Sequence, residues 1–172
     1  MNDAREPDTW VGRSVPRRED TALLTGHGRF VDDISPDRVL HACIVRSPHA
    51  HARITAVDCT AARQVPGVVA AYAFADLPEL IQKKKLPLMS ANPLIQQPLS
   101  QPVMAKDEVR YAGESVAVVI AHTRREAEDG AALVSVNYEA LPAVNDVRKG
   151  LEAGAPTVHA GTPNNLVAET PF

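Results

Sequence analysis

Six residues, Val116 to Ala121, run apolar without a break, and after one histidine comes Thr123-Arg124-Arg125-Glu126. Nothing else in the chain constrains the fold as much. An apolar run of strand length predicts a buried strand. The Thr-x-x-Glu that follows is a capping box, in which Thr123 and Glu126 satisfy each other's backbone amides and start a helix. Ala127, Ala131 and Val134 then recur at helical spacing, a narrow face of small residues suited to close packing on a sheet, while Arg124, Arg125, Glu128 and Asp129 face water. Val134, Val136 and Tyr138 alternate as the next strand. A weaker copy of this order surrounds Asp58. Ile54 to Val57 reads as a strand, Asp58 or Thr60 caps a brief helix through Val65, Pro66-Gly67 stops it, and Val68 to Phe74 returns as a strand. Two such units predict an α+β or α/β domain with crossover connections.

Val39 to Val45 adds a strand with Leu40, Ala42 and Ile44 on one face and Cys43 and Val45 on the other, so both faces are expected to be covered. Lys83 to Met104 differs in kind. It holds Pro87, Pro93, Pro98 and Pro102, and proline lacks the amide that helix and sheet ladders need, so residues 83–104 are expected to form an exposed loop. Such a loop inside a domain is commonly functional or ordered by a partner. Residues 1–10 read as a flexible tail and 166–172 as a second one, leaving one domain over 11–165.

Composition removes several classes of function. The hydrophobic share of 45% and charged share of 23% are globular, and a net charge of −3 offers no basic footprint for nucleic acid. No apolar window is long enough for a signal-peptide core or a membrane span, and Arg17-Arg18 is followed by Glu19-Asp20 where an export signal needs apolar residues. A cytoplasmic chain is expected. The only cysteines, Cys43 and Cys59, form no C-x-x-C pair and cannot alone hold a four-thiolate cluster; they are expected to pack as free thiols.

Several patterns carry a chemical and a structural reading. Gly26-x-Gly28 suggests a phosphate loop, but the charged stretch before it, instead of a buried strand, favours a glycine-permitted turn with Asp32 and Asp33 accepting backbone or arginine hydrogen bonds. His49-x-His51 places two imidazoles on one face of an extended chain, a spacing that can ligate zinc or copper; His27 and His41 supply no third ligand by spacing. Lys83-Lys84-Lys85 is either an anion patch or a solvated charge run. Glu108, Glu114 and Glu139 lie near strand ends as acid–base candidates that nothing distinguishes from structural acids. Arg46 ends an apolar strand and is expected to make a buried, charge-assisted bond to Asp32, Asp33 or Glu114. Arg46, Asp32, Asp33 and Glu114 are therefore the structural or interface candidates, and no catalytic or metal-binding residue is assigned.

Three runs occur in order: Gly26-His27-Gly28-Arg29-Phe30-Val31-Asp32-Asp33, then Arg46-Ser47-Pro48-His49-Ala50-His51-Ala52, then Val109-Arg110-Tyr111-Ala112-Gly113-Glu114-Ser115-Val116-Ala117-Val118-Val119, closed by Val134 to Val144. From about Val11 to Asn165 the chain resembles the N-terminal α/β-hammerhead domain of the large, molybdenum-binding subunit of the xanthine dehydrogenase, aldehyde oxidase and carbon monoxide dehydrogenase family. The resemblance implies an α+β hammerhead with a mixed sheet and a few short helices. It also implies a component of a molybdenum hydroxylase whose molybdopterin site, iron–sulfur clusters and FAD lie outside this stretch. The expected role is a fragment or split-gene subunit, inactive alone, that packs against a molybdopterin-binding subunit and through it meets the FAD and iron–sulfur subunits. The alternative is a free-standing interaction module. Self-association or partner capture is expected near residues 83–104.

Overall fold

The structure, a computed structural model, describes residues 11–12, 14–86, 94–97 and 99–169. The expected tail at 1–10 and the prolines at 87, 93 and 98 lie outside them. Residues 1–39 and 40–172 form two compact units.

The first unit holds a short helix that the sequence pattern did not reveal, α1 (Asp20–Leu24), and a 3-10 turn at Val31–Asp33. The amides of His27 and Gly28 both donate to the Ala22 carbonyl at 2.8 Å, and Gly26 takes φ +74°. The Gly26-x-Gly28 pattern is thus the turn that closes α1, where a positive φ favours glycine. Asp33 accepts the Phe30 amide at 2.9 Å, and Asp32 and Asp33 are both exposed.

The second unit contains two sheets. Strands β1 (His41–Arg46), β5 (Ser115–Ala121) and β3 (Val68–Ala73) make one, in the order β1-β5-β3; β4 (Glu108–Val109), β2 (Ala52–Asp58) and β6 (Ser135–Ala140) make the other, in the order β4-β2-β6. Every pairing within them is antiparallel, so the expected mixed sheet is two antiparallel sheets. The apolar run of β5 is continuous although both of its neighbours are antiparallel. The capping box forms as expected, with the Thr123 amide donating to Glu126 Oε2 at 2.9 Å and the Glu126 amide to Thr123 Oγ1 at 3.2 Å. It starts α3 (Arg124–Ala132), which carries the chain from one sheet to the other. The copy around Asp58 is weaker than expected. Asp58 Oδ1 accepts the Thr60 amide at 2.8 Å in a local turn, and only a 3-10 turn at Ala62–Gln64 follows.

One core lies between α3 and the first sheet and is built of Cys59, Ala62, Ala71, Ala73, Ala117 and Val119; a second, around Ala52, Ala105, Val109 and Val116, underlies the other sheet. Small side chains let the layers approach. Burial pushes the Cys59 thiol above the usual range, with the Arg63 charge opposing it, while Cys43 is only half-buried and both cysteines are free. Because the thiolate is the reactive form, a thiol reagent is expected to label Cys43 in the native protein and to reach Cys59 at least ~100-fold more slowly, through unfolding. Equal labelling rates followed by mass spectrometry would contradict this packing.

The described part of 83–104 is more anchored than an exposed loop. Lys83 ends α2 (Glu79–Lys83), Lys85 bridges Pro102, and Met104 is buried. In the expected tail at 166–172 the described residues are likewise held, Ile95 bridging Ala168 and the Gln96 amide donating to the Val167 carbonyl at 2.9 Å, while 170–172 lie outside the described residues. No helix among the described residues is long and apolar enough to cross a membrane.

Candidate functional site

The runs 46–52, 109–116 and 134–144 converge at one junction where the chain passes from β1 to β2. The ladder between β1 and β5 shifts register after Val45, and beyond the shift Ser47 and the Gly113–Glu114 turn exchange backbone bonds. The Ser47 amide donates to the Glu114 carbonyl at 2.9 Å and the Gly113 amide to the Ser47 carbonyl at 2.8 Å. Gly113, at φ +95°, makes the turn that permits this exchange. Glu114 is 4% exposed, and its Oε2 accepts the Arg110 amide at 2.6 Å, which fixes the turn from inside.

Arg46 differs from expectation. It continues the alternation of β1 on the side of the exposed Ala42 and Ile44, so it is exposed, and it donates Nη1 to the Gly113 carbonyl at 2.8 Å; a hydrogen bond to a backbone carbonyl stands where a buried, charge-assisted bond to a carboxylate was expected. Two outcomes follow. Arg46→Ala is expected to cost less than about 1 kcal/mol, because water replaces an exposed hydrogen bond. Glu114→Ala is expected to cost about 1–3 kcal/mol, because the Arg110 amide loses its acceptor and a cavity opens. Urea unfolding of the two variants checks the order, and a larger loss for Arg46→Ala would reverse the assignment.

The two histidines of His49-x-His51 diverge. His49 packs its ring 4.7 Å from that of Tyr138 at 54°. Burial raises the Tyr138 phenol above its ordinary range, and a hydrogen bond with Ser47 opposes the rise. His51 Nδ1 faces the Pro142 carbonyl at 2.6 Å and Nε2 faces Glu108 Oε1. Both ring nitrogens are thus engaged, one by a backbone carbonyl and one by a carboxyl. With side chains 9% and 16% exposed, the His51–Glu108 pair is a clamp between β2, β4 and the segment after β6. The sequence did not reveal this pair: Glu108 lies 57 residues away and carried no signal beyond its place near a strand end. Glu139 pairs across β2 and β6 with Arg53 at 2.6 Å in the exposed register position opposite it. Among the described residues no group of three or more His, Cys, Asp or Glu side chains is arranged to hold a metal ion.

Beside the junction is a cleft of about 350 Å³ lined by Lys83, Lys85, Lys106, Asp107, Arg110 and His159, among others. Lys83 pairs with Glu79, Lys106 with Asp107 at 3.4 Å and Arg110 with Glu108 at 3.7 Å, so most of its positive charge is balanced locally. Burial first, and then the Arg110 charge, hold His159 below the usual imidazole range, so it adds no cation at neutral pH. The lysine run is therefore closer to a solvated edge than to an anion site. Arg110 Nε is buried without an acceptor among the described residues. The chemistry of the junction is positional: its side chains bind other segments of this chain and hold two sheets in register.

Comparison with known proteins agrees with this geometry. Residues 25–142 match the family described as aldehyde oxidase and xanthine dehydrogenase, a/b hammerhead domain. The chain is 40% identical to the nicotine 6-hydroxylase large subunit of Paenarthrobacter nicotinovorans over 91% of its own length and 19% of that protein. It is 37% identical to the carbon monoxide dehydrogenase large chain of Afipia carboxidovorans, over 85% of this chain and 17% of the other. The solved structure of quinoline 2-oxidoreductase from Pseudomonas putida 86 superposes with a TM-score of 0.75 at 41% identity, covering 91% of this chain and 20% of that one. The chain thus spans about a fifth of the length of these relatives.

Proposed function

This chain belongs to the aldehyde oxidase and xanthine dehydrogenase a/b hammerhead family, and on that premise we propose that it is the hammerhead component of a molybdenum hydroxylase, packing against a molybdopterin-binding chain that supplies the rest of the large subunit. The observation that carries the proposal is a ratio. Identity of 40% over nearly the whole chain accompanies coverage of only 19% of a relative named a large subunit. A second relative, named subunit gamma of the 6-hydroxypseudooxynicotine dehydrogenase complex, shows the same proportion, at 40% identity and 18% coverage. The enzyme so completed oxidises a carbon of an aldehyde, an N-heterocycle or carbon monoxide and passes electrons through iron–sulfur clusters to FAD.

The cysteines of this chain do not fit an iron–sulfur cluster. The two lie apart in role, with Cys59 packed into the alanine-rich core and Cys43 on β1, and a cluster needs several converging thiolates. In this reading the chain contributes shape and contact, and the redox groups sit on its partners in the cytoplasm.

The test is purification of the tagged chain from its own organism. The expected result is a co-purifying large-subunit chain with molybdenum near one equivalent per complex. The same chain made alone in a foreign host is expected to carry below ~0.1 equivalent of molybdenum, iron or flavin. Recovery from native cells without any molybdenum-bearing chain would favour a free-standing interaction module.

A further inference from the structure

The outer face of the first sheet is apolar from edge to edge. Cross-strand partners share a face, and the register aligns Ile44, Val118 and Tyr72 in one row and Ala42, Ile120 and Ala70 in the next. The intervening positions Cys43, Val119 and Ala71 point to the opposite face, where α3 packs. An antiparallel sheet with one covered face ordinarily alternates apolar and polar residues. Here the uncovered face carries no charged residue in either row, and Ile44 is 45% and Tyr72 38% exposed. The sequence pattern of β1 predicted cover on both sides; among the described residues of the second unit only one side has it.

We infer that this face is the docking surface for the molybdopterin-binding remainder of the large subunit, which meets it with an apolar, uncharged surface of its own. The inference rests on the function proposed above and adds where the partner sits. Two arguments select this occupant over a second copy of the chain. Three strands about 4.8 Å apart and roughly four residues long span only about 200 Å². A stable pair of proteins buries about 800 Å² on each partner, so two copies meeting through this face alone fall well short. A larger chain can cover the face while making further contacts beyond its edges. The relatives supply that larger chain, because four-fifths of the nicotine 6-hydroxylase large subunit lies outside the part matched here.

The experiment compares the tagged wild-type chain with Ile44→Lys/Tyr72→Lys, both expressed in the native organism, and reads the molybdenum-binding chain recovered with each. At least tenfold less recovery with the double variant, folded as judged by circular dichroism, supports the inference. Equal recovery overturns it and leaves the proposed function standing. No recovery with either protein overturns both. Because the variant can misfold, hydroxyl-radical footprinting of the wild-type complex against the wild-type chain alone gives a reading without substitution: protection at Ile44, Tyr72 and Ile120 supports the inference, and unchanged labelling there overturns it. A concentration-dependent dimer of the lone wild-type chain that the double variant abolishes assigns the face to a second copy and also overturns it.

Discussion

Gly67→Val is expected to destabilise the protein by about 3 kcal/mol, because it combines a left-handed backbone with the loss of a helix cap. Gly67 sits at φ +86°, where a residue with a Cβ costs roughly 1–2 kcal/mol and a β-branched one the upper part of that range. A Cβ there would also lie 2.1 Å from Cδ of Glu126. That carboxyl is the far end of a flexible side chain and can move, but it already accepts the amide and hydroxyl of Thr123, at 2.9 and 2.8 Å. Moving it dissolves the capping box that starts α3, a loss of about 1 kcal/mol. A double-mutant cycle separates the two contributions. In a Glu126→Ala background the box is already gone, so Gly67→Val is expected to cost only about 1–2 kcal/mol in urea unfolding. Equal costs in the two backgrounds would show that the turn and the cap are independent.

Those two elements illustrate how far the sequence reaches. Pro66-Gly67 is readable as a stop and Thr123-x-x-Glu126 as a start, each from local backbone chemistry. Their meeting, reinforced by the His122 amide donating to the Gly67 carbonyl at 3.0 Å, is set by the pairing of β3 with β5 across some fifty residues. Local rules carry no information about such pairings. The same holds for the register shifts at Val45/Arg46, Ile54/Ala56 and Val68/Ala70, which no periodicity announces.

The misplacement of Arg46 follows from which face of β1 is covered. Arg46 continues the alternation of β1 on the side of the exposed Ala42 and Ile44, and spacing alone does not say which of two apolar faces is buried. Glu114 was legible only as an acid near a strand end; its burial follows from the Gly113 turn folding back on Ser47. The pattern of β1 conveyed that both faces are apolar, which is correct, but apolar residues on a face state only that the face is suited to cover. What covers it is a property of the assembly.

The small-residue face of α3 carries the second large effect. Ala127 and Ala131 are visible as part of it from spacing, and the structure adds Gly130, buried with the helix backbone close to the sheet. A Cβ at Gly130 would lie 2.9 Å from methyls of both Val119 and Val68. Those methyls belong to stiff, β-branched residues of β5 and β3, so they cannot swing aside as Glu126 can. Gly130→Ala is therefore a contest. Replacing a mid-helix glycine gains up to about 1 kcal/mol of helix propensity, while forcing the contact costs about 1 kcal/mol or more, so a change within about 1 kcal/mol of zero is expected. Gly130→Leu has no such balance. Its three further carbons must enter a core already filled by Ala62, Ala71 and Val119, and separating α3 from the sheet breaks contacts along its whole buried side. A loss of at least 3 kcal/mol is expected, at the upper end of overpacking costs. Chemical denaturation decides it. A leucine variant as stable as the wild type would mean that α3 packs less closely on β5 than the structure places it.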